Sequence, residues 1–230
     1  MLTVAIHQPN YLPWLGYFHK IRHCDVFVFL DDVQYSKNSY INRVQILNQR
    51  QAKFLTVPVS YEFGASINAV SPAQLDWPKR HLDTLKGFYR KAPCFSDIWP
   101  DIETILSSTP QSDLATSNRY LVESIASKLG FACDFRQSSE LETGDKTGDD
   151  RLIEIVSGLA PGGRYLSGKG GASYQDGVKF RDAGLELHYA DFDHPTYPQS
   201  SRAFVEGLSV LDAAFSVGWA DTAALLERTN

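Results

Sequence analysis

Two short apolar runs near the start of the chain constrain its fold most. They are Val4–Ile6 and Val26–Leu30. Both are too short for a helix of their own and read as buried strands. Between them Pro13 suits the first turn of a helix. Trp14, Phe18 and Ile21 recur there at helical spacing. Each run passes directly into polar residues, His7-Gln8-Pro9-Asn10 after the first and Asp31-Asp32 after the second. Both polar groups therefore belong at the carboxyl ends of neighbouring strands, the edge where open α/β sheets bind ligands.

The rest of the chain alternates in the same way. Residues 31 to 42 read as a loop. Arg43–Leu47 and Lys53–Val59 form a hairpin across Asn48-Gln49-Arg50-Gln51. From about residue 75 to 130 the pattern is helical. One helix carries Trp77, His81, Leu85 and Tyr89 and stops before Pro93. A second is opened at Pro100, and a third is capped at Ser112 or Asp113 and ends at Gly130. Further strands are expected at Phe131–Phe135, Arg164–Ser167 and Glu186–Tyr189. A helix starts at the weak capping box Thr147-x-x-Asp150, and a last one has a break near Gly218. The expected class is α/β: a mixed, mostly parallel sheet of Rossmann-like type within a single domain of residues 1–230, carrying an inserted helical subdomain at about 75–130.

The net charge of −5 gives no general reason to bind nucleic acid or an anionic membrane. No apolar run is long enough to span a bilayer, and Met1-Leu2 runs straight into a strand with no basic leader. The three cysteines, Cys24, Cys94 and Cys133, are widely spaced and read as reduced thiols of a cytoplasmic protein. No metal-ligand spacing is present, and no cofactor is specified.

Several groups point to chemistry. His7 reads either as a general base or as a buried, satisfied histidine. Asp31 and Asp32 would bind an amine or a metal, or orient His7; strand alternation sends them to opposite sides. Lys37, Asn38 and Arg43 form a polar cluster suited to phosphate, or else a solvated loop. Gly163-x-x-x-x-Gly168-Lys169-Gly170 nearly matches a P-loop but lacks the Ser/Thr that binds magnesium. A glycine-rich turn with Lys169 still suits an anion. His194-Pro195-x-Tyr197-Pro198-Gln199 is a stiffened polar loop, and His194 is a second candidate base. Where nucleotidylyltransferases place HxGH, this chain has Trp14-Leu15-Gly16-Tyr17, keeping the glycine and losing both imidazoles.

In these pieces the sequence resembles the WbqC-like protein family. They include AIHQPNYLPWLGYFHKI at 5 to 21, DVFVFLDDVQYSKNSYINR at 25 to 43, YLSGKGGASY at 165 to 174, and HPTYPQ through FVEGLSVLDAAF. The resemblance covers nearly the whole chain. It implies a role in surface-polysaccharide or natural-product biosynthesis, with acyl or aminoacyl transfer onto a sugar or amino-sugar as the usual supposition. The expected function is thus a transferase for a small polar substrate, with a nucleotide-sugar or acyl or aminoacyl donor as partner. His7, Asp31, Asp32 and His194 are the candidate catalytic groups. Gln8, Asn10, Tyr11, Trp14, Tyr35, Lys37, Asn38, Arg43, His81, Gly168, Lys169, Tyr174 and Gln199 are the candidate binding residues. The alternatives are a nucleotidylyltransferase-like protein with a degenerate HxGH, or a non-catalytic subunit of a biosynthetic cluster.

Overall fold

A computed structural model describes residues 1–48, 51–201 and 203–227. Strand β1 (Thr3–His7) leads through a turn into helix α1 (Leu15–Arg22) and then β2 (Val26–Phe29). Strands β3 (Arg43–Asn48) and β4 (Gln51–Thr56) form a hairpin, and β5 (Val59–Ser60) pairs with β6 (Ser71–Pro72). Helices α2 (Trp77–Tyr89), α3 (Phe95–Ser107) and α4 (Leu114–Lys128) follow. The chain then returns with β7 (Asp134–Gln137), α5 (Gly148–Leu159), β8 (Arg164–Ser167), α6 (Gly177–Asp182), β9 (Glu186–Tyr189) and α7 (Val210–Leu225).

The main sheet has five strands in the order β7-β2-β1-β8-β9. Every pairing in it is parallel. Counted by appearance in the sheet, the order is 3-2-1-4-5, that of doubly wound nucleotide-binding sheets. The order reverses between β1 and β8, and a crevice opens at such a reversal, outside the strand carboxyl ends.

Alternation along the strands builds two cores. Val4, Ile6, Val26 and Val28 pack with Ile155 and Val156 of α5 and Phe180 of α6. Ala5, Phe27 and Phe29 join the larger core with Phe18 and Ile21 of α1 and residues of the helical insertion. By parity His7 belongs to the second face, on the side of α1.

The hairpin lies outside the five-stranded sheet, with β3 paired to β4. The structure departs from the sequence expectations at five places. The hairpin ladder continues to Asn48↔Gln51, while Gln49 and Arg50 of the expected turn lie outside the described residues. The second hairpin strand ends at Thr56, two residues before Pro58, which cannot donate to a ladder. Pro100 does not interrupt α3, which runs unbroken from Phe95 to Ser107. The strand expected from Phe131 begins at Asp134, because the Phe131 amide bonds to Ala126 O and closes α4 instead. Thr147 is the N-cap of α5 but makes no side-chain capping bond, so the capping box does not form.

Other local chemistry acts as expected. Asp113 caps α4 by accepting from the Thr116 amide at 2.7 Å. Gly218, at φ 86°, breaks α7. Among the described residues, no helix is long and apolar enough to cross a membrane.

Candidate active site

The turn after β1 is the best-braced loop near the carboxyl edge. Asn118 of α4 donates to Pro9 O at 2.9 Å and to Ile41 O at 2.7 Å. The Tyr11 amide bonds to Tyr40 O, and its hydroxyl donates to His81 Nδ1 at 2.6 Å. Ser209 Oγ donates to Leu12 O, and the Val210 amide bonds to Pro13 O. The bracing holds Leu12 at φ 40°, a conformation costly for a residue with a Cβ. Helical insertion and C-terminal helix therefore both serve to shape residues 9–13.

What the turn positions is a cavity of about 110 Å³, lined by His7, Trp14, Gly16, Tyr17, Lys20, Gly168, Lys169, Ala190 and Phe192. It lies at the carboxyl ends of β1, β8 and β9, at the reversal of strand order. Trp14 lies over Gly16: a Cβ on Gly16 would sit 2.5 Å from the indole Cζ3. A side chain at residue 16 would push the ring aside. Phe192 meets Trp14 edge-on, centroids 5.4 Å apart.

The His7 ring is oriented by its own backbone. Nδ1–H donates to Gln8 O at 3.0 Å, which leaves Nε2 as the unprotonated nitrogen. Nε2 has no hydrogen-bond partner among the described residues and is not sealed from solvent. Burial, then the nearby Lys20 charge, lower the His7 pKa to about 3 against the Gln8 bond. His7 is thus neutral at physiological pH, below the near-neutral titration expected of a free imidazole. Lys20 is itself enclosed, with Nζ donating to Ile6 O at 2.9 Å. Burial lowers its pKa to about 8.

Of the candidate residues, His7, Trp14, Gly168 and Lys169 converge on this cavity. Gln8 contributes its carbonyl, and Asn10 is buried beneath the turn. Lys169 is not a bare cation: its Nζ pairs with Asp193 at 2.9 Å and Asp191 at 3.4 Å. These carboxylates raise its pKa. His194 stands behind Trp14, stacked on it at 6.3 Å and surrounded by Phe192, Tyr197 and Phe204. Its Nδ1 donates to Pro195 O at 3.0 Å, and its Nε2 is buried without a partner among the described residues.

Asp31 and Asp32 form a separate cluster at the ends of β2 and β7. Neither bonds to His7. Burial acts to raise the Asp31 pKa, but bonds from the Ser139 hydroxyl and amide, Gln137 and Ser138 outweigh it and hold it low. Asp32 pairs with Arg151 and accepts from Ser138. Asp31 thus splices the end of β2 to the turn after β7.

The remaining candidates lie away from the cavity lining. Tyr11 and His81 are core residues; His81 Nε2–H donates to Thr56 O at 3.1 Å. Tyr35 is buried against Tyr61. Lys37 and Asn38 are exposed on a turn, with Asn38 at φ 60°. The Arg43 guanidinium lies 4.1 Å from the Phe54 ring centroid. Tyr174 is exposed. Gln199 closes its own loop through Val205 and borders a second cavity of about 280 Å³ containing Asp212. Sequence reasoning missed Gly16, Tyr17, Lys20, Ala190 and Phe192 of this lining. The local signal for Lys20 is position: four after Gly16 and three after Tyr17, it shares their helix face.

Comparison with known proteins agrees with the resemblance. The chain is 33% identical over 222 residues to a protein of Mycobacterium tuberculosis (strain ATCC 25618 / H37Rv) named "Uncharacterized protein Rv1507c", covering 95% of each chain. No solved structure matches it. The family model for WbqC-like proteins matches residues 8–224, beginning one residue past His7 and spanning the braced turn, α1, the Asp31–Asp32 cluster and nearly all of α7, and the chain belongs to the WbqC-like protein family.

Proposed function

We propose that the His7 cavity is the active site of a transferase acting on a small polar substrate, an amino-sugar, nucleotide-sugar or related amine, by acyl or aminoacyl transfer in surface-polysaccharide or natural-product biosynthesis. The observation that carries this reading is the fixed His7 tautomer, with Nε2 free in a walled cavity beside a lysine. An acceptor hydroxyl or amine would donate to Nε2, which orients its lone pair toward the donor carbonyl. Trp14 and Phe192 would flank a ring, and Lys169 with its two aspartates would frame the entrance. With a pKa of about 3, His7 acts as a hydrogen-bond acceptor and passes a proton on rather than storing it. As acceptor attacks acyl carbon, its proton leaves through His7 to the departing group.

The test is His7→Ala, with the bound metabolite first identified by mass spectrometry of denatured, freshly purified protein. The variant should keep its fold and lose turnover. Full activity in a folded His7→Ala protein overturns the reading.

The strand order favours a second reading, a nucleotide-binding nucleotidylyltransferase-like protein. Trp14 and Tyr17 occupy the places where that chemistry needs imidazoles. Thermal stabilisation by ATP or CTP with magnesium would support it; stabilisation by nucleotide-sugars or CoA thioesters alone would support the first reading.

A further inference from the structure

The cavity holds one group to which group transfer assigns no task. Lys20 is 5% exposed, and among the described residues its only hydrogen bond is to the Ile6 carbonyl. Among the described residues no carboxylate pairs with it. The titratable groups that line the cavity with it are His7, Tyr17 and Lys169, and Cys24 interacts with it electrostatically. An ammonium enclosed without a counter-ion is costly, whereas a neutral amine is not. With one N–H on Ile6 O, a neutral Nζ keeps its lone pair unshared, on a residue that lines the cavity. Burial of this kind is how lysines become nucleophiles.

We propose that Lys20 is the covalent attachment point for a small aldehyde or ketone, held in the His7 cavity as an imine. This rests on reading the cavity as an active site and specifies a carbonyl-bearing substrate for it. The Nζ lone pair attacks the carbonyl carbon; the C–N bond forms as the π electrons move to oxygen. A proton passes from nitrogen to that oxygen, giving a carbinolamine. A second proton transfer expels the hydroxyl as water and leaves C=N. Amine and carbonyl thus become imine and water, with no oxidant or reductant. His7 Nε2 is placed to carry protons between nitrogen and oxygen. Conversion of the ammonium to a neutral imine also removes the charge that helps suppress His7, so attachment strengthens the adjacent base. Trp14, Ala190 and Phe192 select a compact carbonyl compound with an apolar or ring face.

With a pKa of about 8, about one Lys20 amine in ten is neutral at pH 7, against fewer than about one in a thousand for an exposed lysine. The full chain is treated with limiting propanal and sodium borohydride at pH 7, and labelled lysines are located by peptide mass mapping. Exposed Lys37 is the internal reference. Lys20 should be alkylated roughly tenfold or more faster than Lys37. Its labelling should level off above about pH 9. Lys20→Arg keeps the cation and should lose the label. Labelling of Lys20 no faster than Lys37 overturns the proposal. If His7→Ala still abolishes turnover in that event, the group-transfer reading stands without the imine. If Lys20 labels selectively while His7→Ala stays fully active, the imine site stands and that reading falls.

Discussion

His7 and Tyr17 donate to the same acceptor: His7 Nδ1 and the Tyr17 hydroxyl each lie 3.0 Å from Gln8 O. Their rings meet edge-on with centroids 4.7 Å apart. One carbonyl therefore ties the end of β1 to α1 and fixes which His7 nitrogen is free. Tyr17→Phe keeps the ring contact and removes one donor. It should cost about 1 kcal/mol of unfolding free energy in urea. His7 should keep its Nδ1–H tautomer, read from imidazole nitrogen shifts; a switch to Nε2–H would show that Tyr17 sets the tautomer instead.

Lys20→Met should stabilise the fold while removing its chemistry. Lowering the lysine pKa from 10.5 to about 8 corresponds to about 3 kcal/mol of penalty on the charged form. The orphaned Ile6 carbonyl gives back about 1–2 kcal/mol. A net gain of about 1–2 kcal/mol is expected at pH 7, seen as a rise in Tm of about 2–8 °C. The sign follows from the burial of a cation: the wild-type penalty is full below about pH 8 and vanishes above 10.5. The advantage of the variant should shrink across that window. A drop in Tm at pH 7 would mean that the Lys20 contact with Ile6 outweighs its desolvation.

Acid should unfold the protein from a higher pH than its carboxylates alone would dictate. The pKa values of His7, at about 3, and His81, at about 4, are both lowered from 6.5, chiefly by burial. Between these values and 6.5 the unfolded chain binds protons that the folded chain refuses. Stability therefore falls as pH falls, by up to about 2–3 kcal/mol per pH unit for two such groups. Burial raises the Asp212 pKa above 3.8 despite bonds from Tyr89, Tyr197 and Gln199, so Asp212 opposes this trend at the acid end. Denaturant titrations between pH 7 and 4.5 measure the slope; a flat profile would contradict the buried-histidine account.

Gly16→Ala should act through Trp14 rather than through helix propensity, which favours alanine. The new Cβ displaces the indole that walls the cavity. A loss of about 1–3 kcal/mol is expected, with a shift in tryptophan fluorescence and loss of ligand-induced stabilisation. Unchanged stability and ligand response would show that the ring is free to move aside.

Cys24 and Cys133 should form a disulfide under mild oxidation. Their Sγ atoms are 3.6 Å apart, where the adjacent parallel strands β2 and β7 begin. Closing to about 2.05 Å asks for only a small shift. Diamide treatment followed by non-reducing peptide mapping should recover this pair and spare Cys94, whose Sγ contacts Ser216 O. The bond should stabilise the protein by about 2–4 kcal/mol. Linkage of Cys94 to either partner would contradict the observed strand neighbours.

What sequence alone determined here is local. Val4–Ile6 and Val26–Leu30 read as strands because unbroken apolar runs of that length have few other homes. Asp113, Gly130 and Gly218 marked helix ends or breaks through chemistry that acts within a few residues. The same reading placed His7 correctly at a strand end. Tertiary structure decided which strand ends share a site. His7 and Asp31 end adjacent strands, yet Asp31 is taken up by Ser138 and Ser139 of the turn after β7, while His7 meets residues after β8 and β9. Strand order, not nearness in sequence, makes that division, and it depends on long-range packing that no local pattern carries. The burial of Lys20 is of the same kind: a lysine on a short helix looks solvated until sheet, Trp14 and the Phe192 loop enclose it. Its altered charge chemistry follows from that enclosure alone.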